Sequence, residues 1–373
     1  MFSTVQIDNL SIKIPFSDFV FGGELTLKGI DNARKFVDTA ILEAFDSSDI
    51  WQELSTDSPD VYNSIRDFVL SGGKRLRPIL FYLFYRAFTH EVDISKAKKI
   101  MAAMEMIHGF ILIHDDIIDK SDSRRSQKTL NRKFDLILST GKSSSPVKGE
   151  DMAIVAGDML YAFAVDVFNQ AGLDPSLMSK IIQKLSQTAL MTAHGEFREI
   201  LGTTKDLGQL KEEDLLRIYD LKTSYYTFFG PVIIASMVAS FDISDELIEN
   251  FTLALGKAFQ IHNDIKEILA PESDTNIPKD FIEKKRTLPL LWAYEASDKT
   301  DKRLIDKFLK EKKVNQVDFN YIRKIYFEKN IIQKAKSEIQ KLTNQSIDII
   351  MNIEADKVYL SFITNYIKDL LKL

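Results

Sequence analysis

From Ile30 onward the apolar residues of this chain recur at the spacing of amphipathic helices, with few interruptions. IRDFVL at 65–70 and FTLALGKAFQIHNDIKEIL at 251–269 each keep an apolar face turn after turn. Only 15 Gly and 9 Pro are present, and they punctuate the helices at sites such as Ser71-Gly72-Gly73, Gly141 to Pro146, Leu173-Asp174-Pro175 and Pro271 to Pro278. Long helices joined by short loops, with no βαβ rhythm, predict an all-α bundle. The exception is residues 4–27, where partial period-two alternation and Gly22-Gly23 predict a short hairpin or extended arm. Residues 1–50 are therefore read as an N-terminal extension and 51–373 as one helical domain. The Ser-rich stretch at 139–151 reads as a flexible loop between helices, and no internal repeat is found.

Composition removes several functional classes. Lys+Arg total 49 against Asp+Glu 54, so no global positive charge recommends a nucleic-acid partner, and any anion must be held by local basic clusters. The absence of Cys excludes a disulfide, a thiolate nucleophile and a zinc–sulfur site, and favours a reducing, intracellular compartment. Phe228 to Phe241, the longest apolar run, contains Gly230 and Pro231 and falls short of the ~18 residues of a membrane-spanning helix. The N-terminus carries acidic residues early and no basic stretch before an apolar core. A soluble cytoplasmic protein without a transmembrane segment is expected.

The chemistry concentrates where the helical pattern meets acid. MEMIHGFILIHDDIIDKSDSRR, Met104 to Arg125, runs from one of the most apolar stretches into Asp115, Asp116 and Asp119 and then Arg124-Arg125. On a helix Asp115 and Asp119 project from one face a turn apart, with Asp116 rotated aside. Three carboxylates this close repel unless a cation joins them, and Mg²⁺ takes a few carboxylates together with phosphate oxygens. The plainer alternative is a solvated helix end; the FILI run leading into the acids argues against it. A second cluster, FQIHNDIKE at 259–267, again ends an apolar helix and offers Asn263, Asp264 and Glu267. Basic groups for a polyphosphate stand at Lys74, Arg75 and Arg77, at Arg124-Arg125 and beside Thr223 at Lys222. Each has a plain reading on its own: a helix start, surface charge, a common dipeptide, and for His108 a core histidine.

In this order the motifs are specific. GGKRLRP at 72–78, His108 within MEMIH, DDIID with its arginine pair, AGDMLYA at 156–162, Lys222-Thr223, FQIHNDIKE and KRTLP at 285–289 together resemble the trans-isoprenyl diphosphate synthases, over roughly residues 50–300. The resemblance implies an all-α isoprenoid synthase bundle around a central cavity, packed as a homodimer. It implies an enzyme that joins isopentenyl diphosphate to an allylic diphosphate with Mg²⁺, three ions in all. It implies that Asp115 and Asp119 ligate Mg²⁺ with Asp116 in support, and that Asp264 holds a further ion. Arg124, Lys222 and Lys285 would neutralise the allylic diphosphate, and Lys74, Arg77, His108 and Arg125 would hold isopentenyl diphosphate. Thr223 and Gln260 would lie beside the reacting carbons. Phe110, five residues before the acids, would floor the product pocket and favour C20 over C15, with Ile107 or the helix of Met159 to Val165 as other positions for that floor.

The chain departs from the family pattern at Asn263 and Glu267 in the second acidic motif, at Asn276, at Ser126 after the arginine pair and at Gly195-Glu196. Two further functions therefore stand beside the prenyl transferase: a terpene synthase or other specialised enzyme on the same helices, and a non-catalytic partner subunit of a synthase. The altered second motif is the argument for the first of these, while the intact first motif and the full Lys74, Arg77, His108, Arg125 set argue against the non-catalytic subunit and against a pure cyclase, which would have no use for an isopentenyl site.

Overall fold

The computed structural model describes residues 2–7, 10–15, 25–125, 127–140, 146–266, 268–269, 277–311 and 314–372. Gly22-Gly23, Ser126, residues 141–145 of the Ser-rich stretch, Glu267 and Asn276 lie outside the described residues. The expected all-α architecture is observed, with strands confined, among the described residues, to two small antiparallel pairs. The chain divides into two compact units, residues 1–178 and 179–373.

The first unit opens with β1 (Phe2–Ile7) and β2 (Leu10–Pro15), paired from Phe2↔Pro15 to Ile7↔Leu10. An antiparallel strand pair is thus present at the start of the stretch expected to form a hairpin or arm, between Phe2 and Pro15. Helices follow as α1 (Leu27–Asp46), α2 (Asp49–Asp57), α3 (Pro59–Leu70), α4 (Leu76–Phe88) and α5 (Ile94–Ile118). After the short pair β3 (Ser123–Arg124) and β4 (Gln127–Lys128) come α6 (Leu130–Ser139) and α7 (Gly149–Asn169). Helix α1 packs on α5, so the helical body reaches back to Leu27, within the stretch read as an extension.

Helix α5 is the axis of this unit, lying along α7 and against α1 and α4. Asp93 caps it, accepting from Lys96 N at 3.1 Å. Its N-terminal half is buried without a break from Ile100 to Met106, as befits a helix surrounded by others. Glu105, 3 % exposed, sits in that apolar run and requires a partner. Arg75 provides it: Nη1 donates to Glu105 Oε2 at 2.8 Å, Nε to Asp38 Oδ1 at 2.8 Å and Nη2 to the Val69 carbonyl at 2.9 Å. The sequence groups Arg75 with Lys74 and Arg77 as phosphate-binding charge, whereas here it ties α1, α3, α4 and α5 together.

The second unit contains most of α8 (Pro175–Thr203), then α9 (Glu212–Tyr219), a π-helical segment at Asp220–Phe229, α10 (Gly230–Val238) and α11 (Asp245–Lys266). It closes with α12 (Lys279–Ile282), α13 (Leu288–Ala296), α14 (Lys299–Lys310), α15 (Gln316–Glu328), α16 (Ile331–Met351) and α17 (Lys357–Leu370). Helix α11 is its axis, flanked by α16 and by the π-helical segment. Among the described residues no helix is long and apolar enough to cross a membrane.

Breaking the Arg75–Glu105 pair from one side strands a buried carboxylate. Arg75→Ala should cost about 3–5 kcal/mol in denaturant unfolding monitored by circular dichroism, and Arg75→Ala/Glu105→Leu should recover part of that loss.

Candidate active site

In the first unit the end of α5 presents Asp115, Asp116 and Asp119 in unequal surroundings. Asp116 is 1 % exposed and is held by Arg124, whose Nε lies 3.0 and 2.9 Å from its two oxygens and whose Nη2 lies 2.7 Å from Oδ1. The same Nη2 reaches Asp115 Oδ2 at 3.2 Å. Burial works against the Arg124 charge, but Asp116 and Asp115 outweigh it and raise the guanidinium above its ordinary value. Asp115 and Asp119 are half-buried, and Asp119 forms the C-cap, its N–H donating to the Asp115 carbonyl at 2.9 Å. The motif thus divides into one carboxylate locked to arginine and two at the helix end.

Arg124 and Arg125 owe their positions to the β3–β4 hairpin, which pairs Ser123 with Lys128 and Arg124 with Gln127. Arg125 sits in the left-handed region at φ 50° in the tight connection. Its guanidinium turns back over the Gly-rich turn, donating to the Gly72 carbonyl and, at 3.4 Å, to Ser71 Oγ. Gly73 makes this possible: it has φ +130°, and a Cβ there would stand 2.5 Å from Arg125 Nη2. Ser71, Arg75, His108, Arg124 and Arg125 line one recess. His108 is half-buried; its imidazole is held well below its ordinary 6.5 by burial first and then by Arg77, Arg125, Arg124 and Arg75. Lys74 is exposed and Arg77 half-buried at the start of α4. The recess has room for about one water, about 10 Å³, and Glu105 lines it beside the arginines and the neutral imidazole.

Phe110 lies one turn before His114 on α5, with ring centroids 4.8 Å apart, and its ring is 5.2 Å from that of Tyr161 on α7. Phe110 is half-buried, so it forms part of an aromatic wall rather than the sealed core.

In the second unit the π-helical segment carries Lys222 and Thr223. Its wider turn shows in the Gly230 N–H, which donates to the Tyr225 carbonyl five residues back. Thr223 Oγ1 donates to Gln260 Oε1 at 2.8 Å, and Gln260 Nε2 donates to Asp264 Oδ1 at 2.8 Å. Tyr219 donates its hydroxyl to Asp264 Oδ2 and accepts the Leu288 N–H at 2.8 Å. Burial first, then Asp280, pushes the Asp264 carboxyl up to about 8, against the opposing hydrogen bonds of Tyr219 and Gln260. A carboxyl so placed favours a nearby cation strongly, which fits a divalent ion. Asn263 beside it is half-buried.

Lys222 Nζ lies 2.6 Å from Glu196 Oε2 and 2.6 Å from Glu199 Oε2. Lys285 Nζ lies 2.8 Å from Glu283 Oε2 and 3.8 Å from Glu199 Oε2. The segment bearing Lys285 is anchored by Arg286, which donates to the Thr203 carbonyl at 2.8 Å, and by Thr287, which caps α13.

Within each unit the residues singled out from sequence therefore come together: Asp115, Asp116 and Arg124, with Arg77, Arg125 and His108 near by, in one, and Lys222, Thr223, Gln260, Asp264 and Lys285 in the other. Sequence reading missed Glu105, Glu199 and Tyr219. Tyr219 stands one turn before Lys222 and Glu199 one turn after Glu196, so helical spacing from a known lysine or a known departure would have found both. Among the described residues no three His, Cys, Asp or Glu groups converge into a metal cage. Mg²⁺ does not require one, since it keeps waters and shares one or two carboxylates with substrate phosphates.

The chain and its fold have known counterparts. The polyprenyl synthetase family model matches residues 58–326, and the chain belongs to that family. Geranylgeranyl pyrophosphate synthase of Geoglobus acetivorans is 28 % identical over 236 residues, covering 63 % of this chain and 68 % of the relative. Geranylgeranyl diphosphate synthase of Sulfolobus acidocaldarius is 29 % identical over 268 residues, covering 70 % and 76 %. The crystal structure of geranylgeranyl pyrophosphate synthase from Corynebacterium glutamicum, complexed with isoprenyl diphosphate and magnesium, superposes with a TM-score of 0.82. It is 21 % identical and covers 92 % of this chain and 99 % of that one, a likeness of fold.

His108 gives the site a pH signature. Below about 6.5 the unfolded chain takes up a proton on this imidazole that the folded protein refuses, so stability falls as pH drops through that value. In unfolding titrations between about pH 8 and about pH 5, His108→Gln should lose less stability on the acid side than the wild type.

Proposed function

We propose that the protein is a Mg²⁺-dependent trans-prenyl transferase that joins isopentenyl diphosphate head-to-tail to an allylic diphosphate. The product is a short-chain prenyl diphosphate, C20 favoured over C15. The observation that carries this reading is the family match across 58–326, which spans the Asp115 to Arg125 cluster and the Lys222, Gln260 and Asp264 network alike. The geranylgeranyl synthases among the relatives support the chain length.

The residue types fit the chemistry. Ionising the allylic C–O bond leaves a carbocation and a diphosphate, so the enzyme must stabilise concentrated negative charge while keeping water from the cation. Asp115, Asp119 and Asp264 would hold the Mg²⁺ ions, which when bound supply charge neutralisation to the leaving group. Asp116 is spoken for by Arg124, and its role in this reading is to fix that guanidinium beside Asp115. Lys222 and Lys285 would meet the allylic diphosphate, and Lys74, Arg77, His108 and Arg125 the isopentenyl diphosphate. A neutral His108 can donate a hydrogen bond to a phosphate oxygen without needing a proton from solution. Thr223 and Gln260, hydrogen-bonded to each other, would direct their dipoles at the developing cation. The cation alkylates the isopentenyl double bond, and the released diphosphate takes the proton, so no protein nucleophile enters. The reading extends to a cytoplasmic homodimer, which light scattering on the purified chain would test.

The direct test is to incubate the protein with Mg²⁺, isopentenyl diphosphate and C5, C10 or C15 allylic diphosphates and identify products by mass spectrometry. Elongated diphosphates are expected; hydrocarbon or alcohol without elongation would refute the reading. Asp115→Ala and Asp119→Ala should each reduce turnover by roughly 10²–10³-fold, the scale of losing a key electrostatic stabiliser, with the helical circular dichroism spectrum retained.

Product length should respond to the aromatic wall. Phe110→Ala removes one ring from the Phe110, His114, Tyr161 cluster and should shift products toward chains longer than those of the wild type. An unchanged product distribution at reduced rate would assign Phe110 to packing and direct attention to Tyr161.

A further inference from the structure

Lys222 and Lys285 reach the same carboxylate oxygen, Glu199 Oε2, at 2.6 and 3.8 Å. Each has other acids as well: Glu196 lies 2.6 Å from Lys222, and Glu283 and Asp280 lie 2.8 and 3.8 Å from Lys285. Lys222 belongs to the π-helical segment, whereas Lys285 stands in the short connection between α12 and α13. A side chain on a connection is aimed only as well as the backbone beneath it is held. That backbone closes α12. Lys284 N donates to the Phe281 carbonyl at 3.2 Å and Lys285 N to the Asp280 carbonyl at 2.9 Å, a helix stop that usually has glycine where Lys284 sits in the left-handed region at φ 56°. A side chain there carries strain, and the turn gains from support elsewhere. Arg286 supplies it. Its Nη1 donates to the Lys284 carbonyl at 2.6 Å, and its Nη2 donates to the Thr203 carbonyl at 2.8 Å and the Lys205 carbonyl at 3.3 Å. The first bond holds the left-handed residue. The other two fasten the turn to the end of α8, where helix carbonyls lack backbone partners and favour a cation. Glu199 stands one turn before Thr203 on that same helix. The turn that bears Lys285 and the carboxylate it shares with Lys222 are thus tied to one helix end.

We infer that Arg286 is a positioning residue: by pinning the Lys284 carbonyl to the end of α8, it sets the Lys285 ammonium beside that of Lys222, so that one diphosphate meets both. This rests on the reading of Lys222 and Lys285 as allylic-diphosphate contacts. Both terminal nitrogens of Arg286 are engaged by backbone carbonyls, so its effect on the anion passes through Lys285. Lysine cannot replace it, because one nitrogen would have to serve both the turn and α8.

The test is a double-mutant cycle read by calorimetric titration of the full chain with inorganic pyrophosphate and Mg²⁺, on wild type, Arg286→Ala, Lys285→Ala and the double variant. Arg286→Ala should weaken binding by roughly five- to tenfold, the equivalent of loosening one charged contact. In the Lys285→Ala background the same change should matter less than about twofold, because the group it aims is gone. Arg286→Lys, which keeps the charge, should also weaken binding, and it takes the place of Arg286→Ala throughout the cycle if the alanine variant does not fold. In steady-state assays either Arg286 variant should raise KM for the allylic diphosphate by a similar factor and leave KM for isopentenyl diphosphate unchanged. Unchanged binding in Arg286→Ala, or losses that add in the double variant, would overturn the inference and make Arg286 a general support of the fold. Wild-type binding in Arg286→Lys would overturn it too, leaving only the charge of Arg286 to matter. Absence of elongation by the wild type would refute the functional reading separately, because the pyrophosphate titration needs no turnover.

Discussion

Asp116 accepts from Arg124 through both of its oxygens at the end of a helix that is apolar for most of its length. That pairing expresses the constraint on which the rest of the structure depends: a carboxylate carried into a greasy interior must meet a cation or a donor. Glu105 meets Arg75, Asp264 meets Tyr219 and Gln260, and Glu196 and Glu199 meet Lys222. Each pairing fixes a backbone as well as a charge. Arg75 joins four helices of the first unit, Arg124 holds the β3–β4 hairpin against α5, and Tyr219 ties α9 to α11 and to the start of α13. The groups that equip the protein for an anionic substrate therefore also determine where its helices sit.

Much of this was legible in the sequence for definite reasons. The long stretches with period 3.6 had to become helices because nothing inside them breaks the pattern, and α5 and α11 end at the acids they were expected to present. The hairpin that carries Arg124 and Arg125 was not legible, since strands of two residues have no period to detect. Its geometry rests instead on a positive φ at Arg125 and on a glycine at 73 that leaves room for the guanidinium. Arg75 stands among the basic residues of its run without distinction because a buried structural arginine and a phosphate-binding one look alike in sequence. Only the partners, Glu105 and Asp38, separate them, and both lie thirty or more residues away.

The second acidic motif illustrates the converse. The sequence marks Asn263 as a lost carboxylate, yet Asp264 keeps a fully engaged environment: donors on both oxygens, burial, and the charge of Asp280 near by. The departure at Glu196 matters in a different way. It stands in α8, away from the acids of α11, and places a carboxylate 2.6 Å from Lys222 Nζ.

The ten-residue π-helical segment has a consequence for how the chain tolerates changes in length. It is enclosed on one side by Gly195 of α8 and on the other by Gly256 of α11, whose Cβ would collide with Ser224. Deleting one residue between Asp220 and Phe229 would let this stretch relax to ordinary α geometry, but everything after the deletion would turn by about 100° relative to what precedes it. Either Lys222 and Thr223 would keep their bearing and α10 would lose its buried face, or α10 would stay packed and the two polar residues would swing away from Gln260. The widened turn thus acts as a phase adjuster between a chemical half-helix and a packing half-helix, and the loops, not this segment, are where the length of the second unit is free to vary.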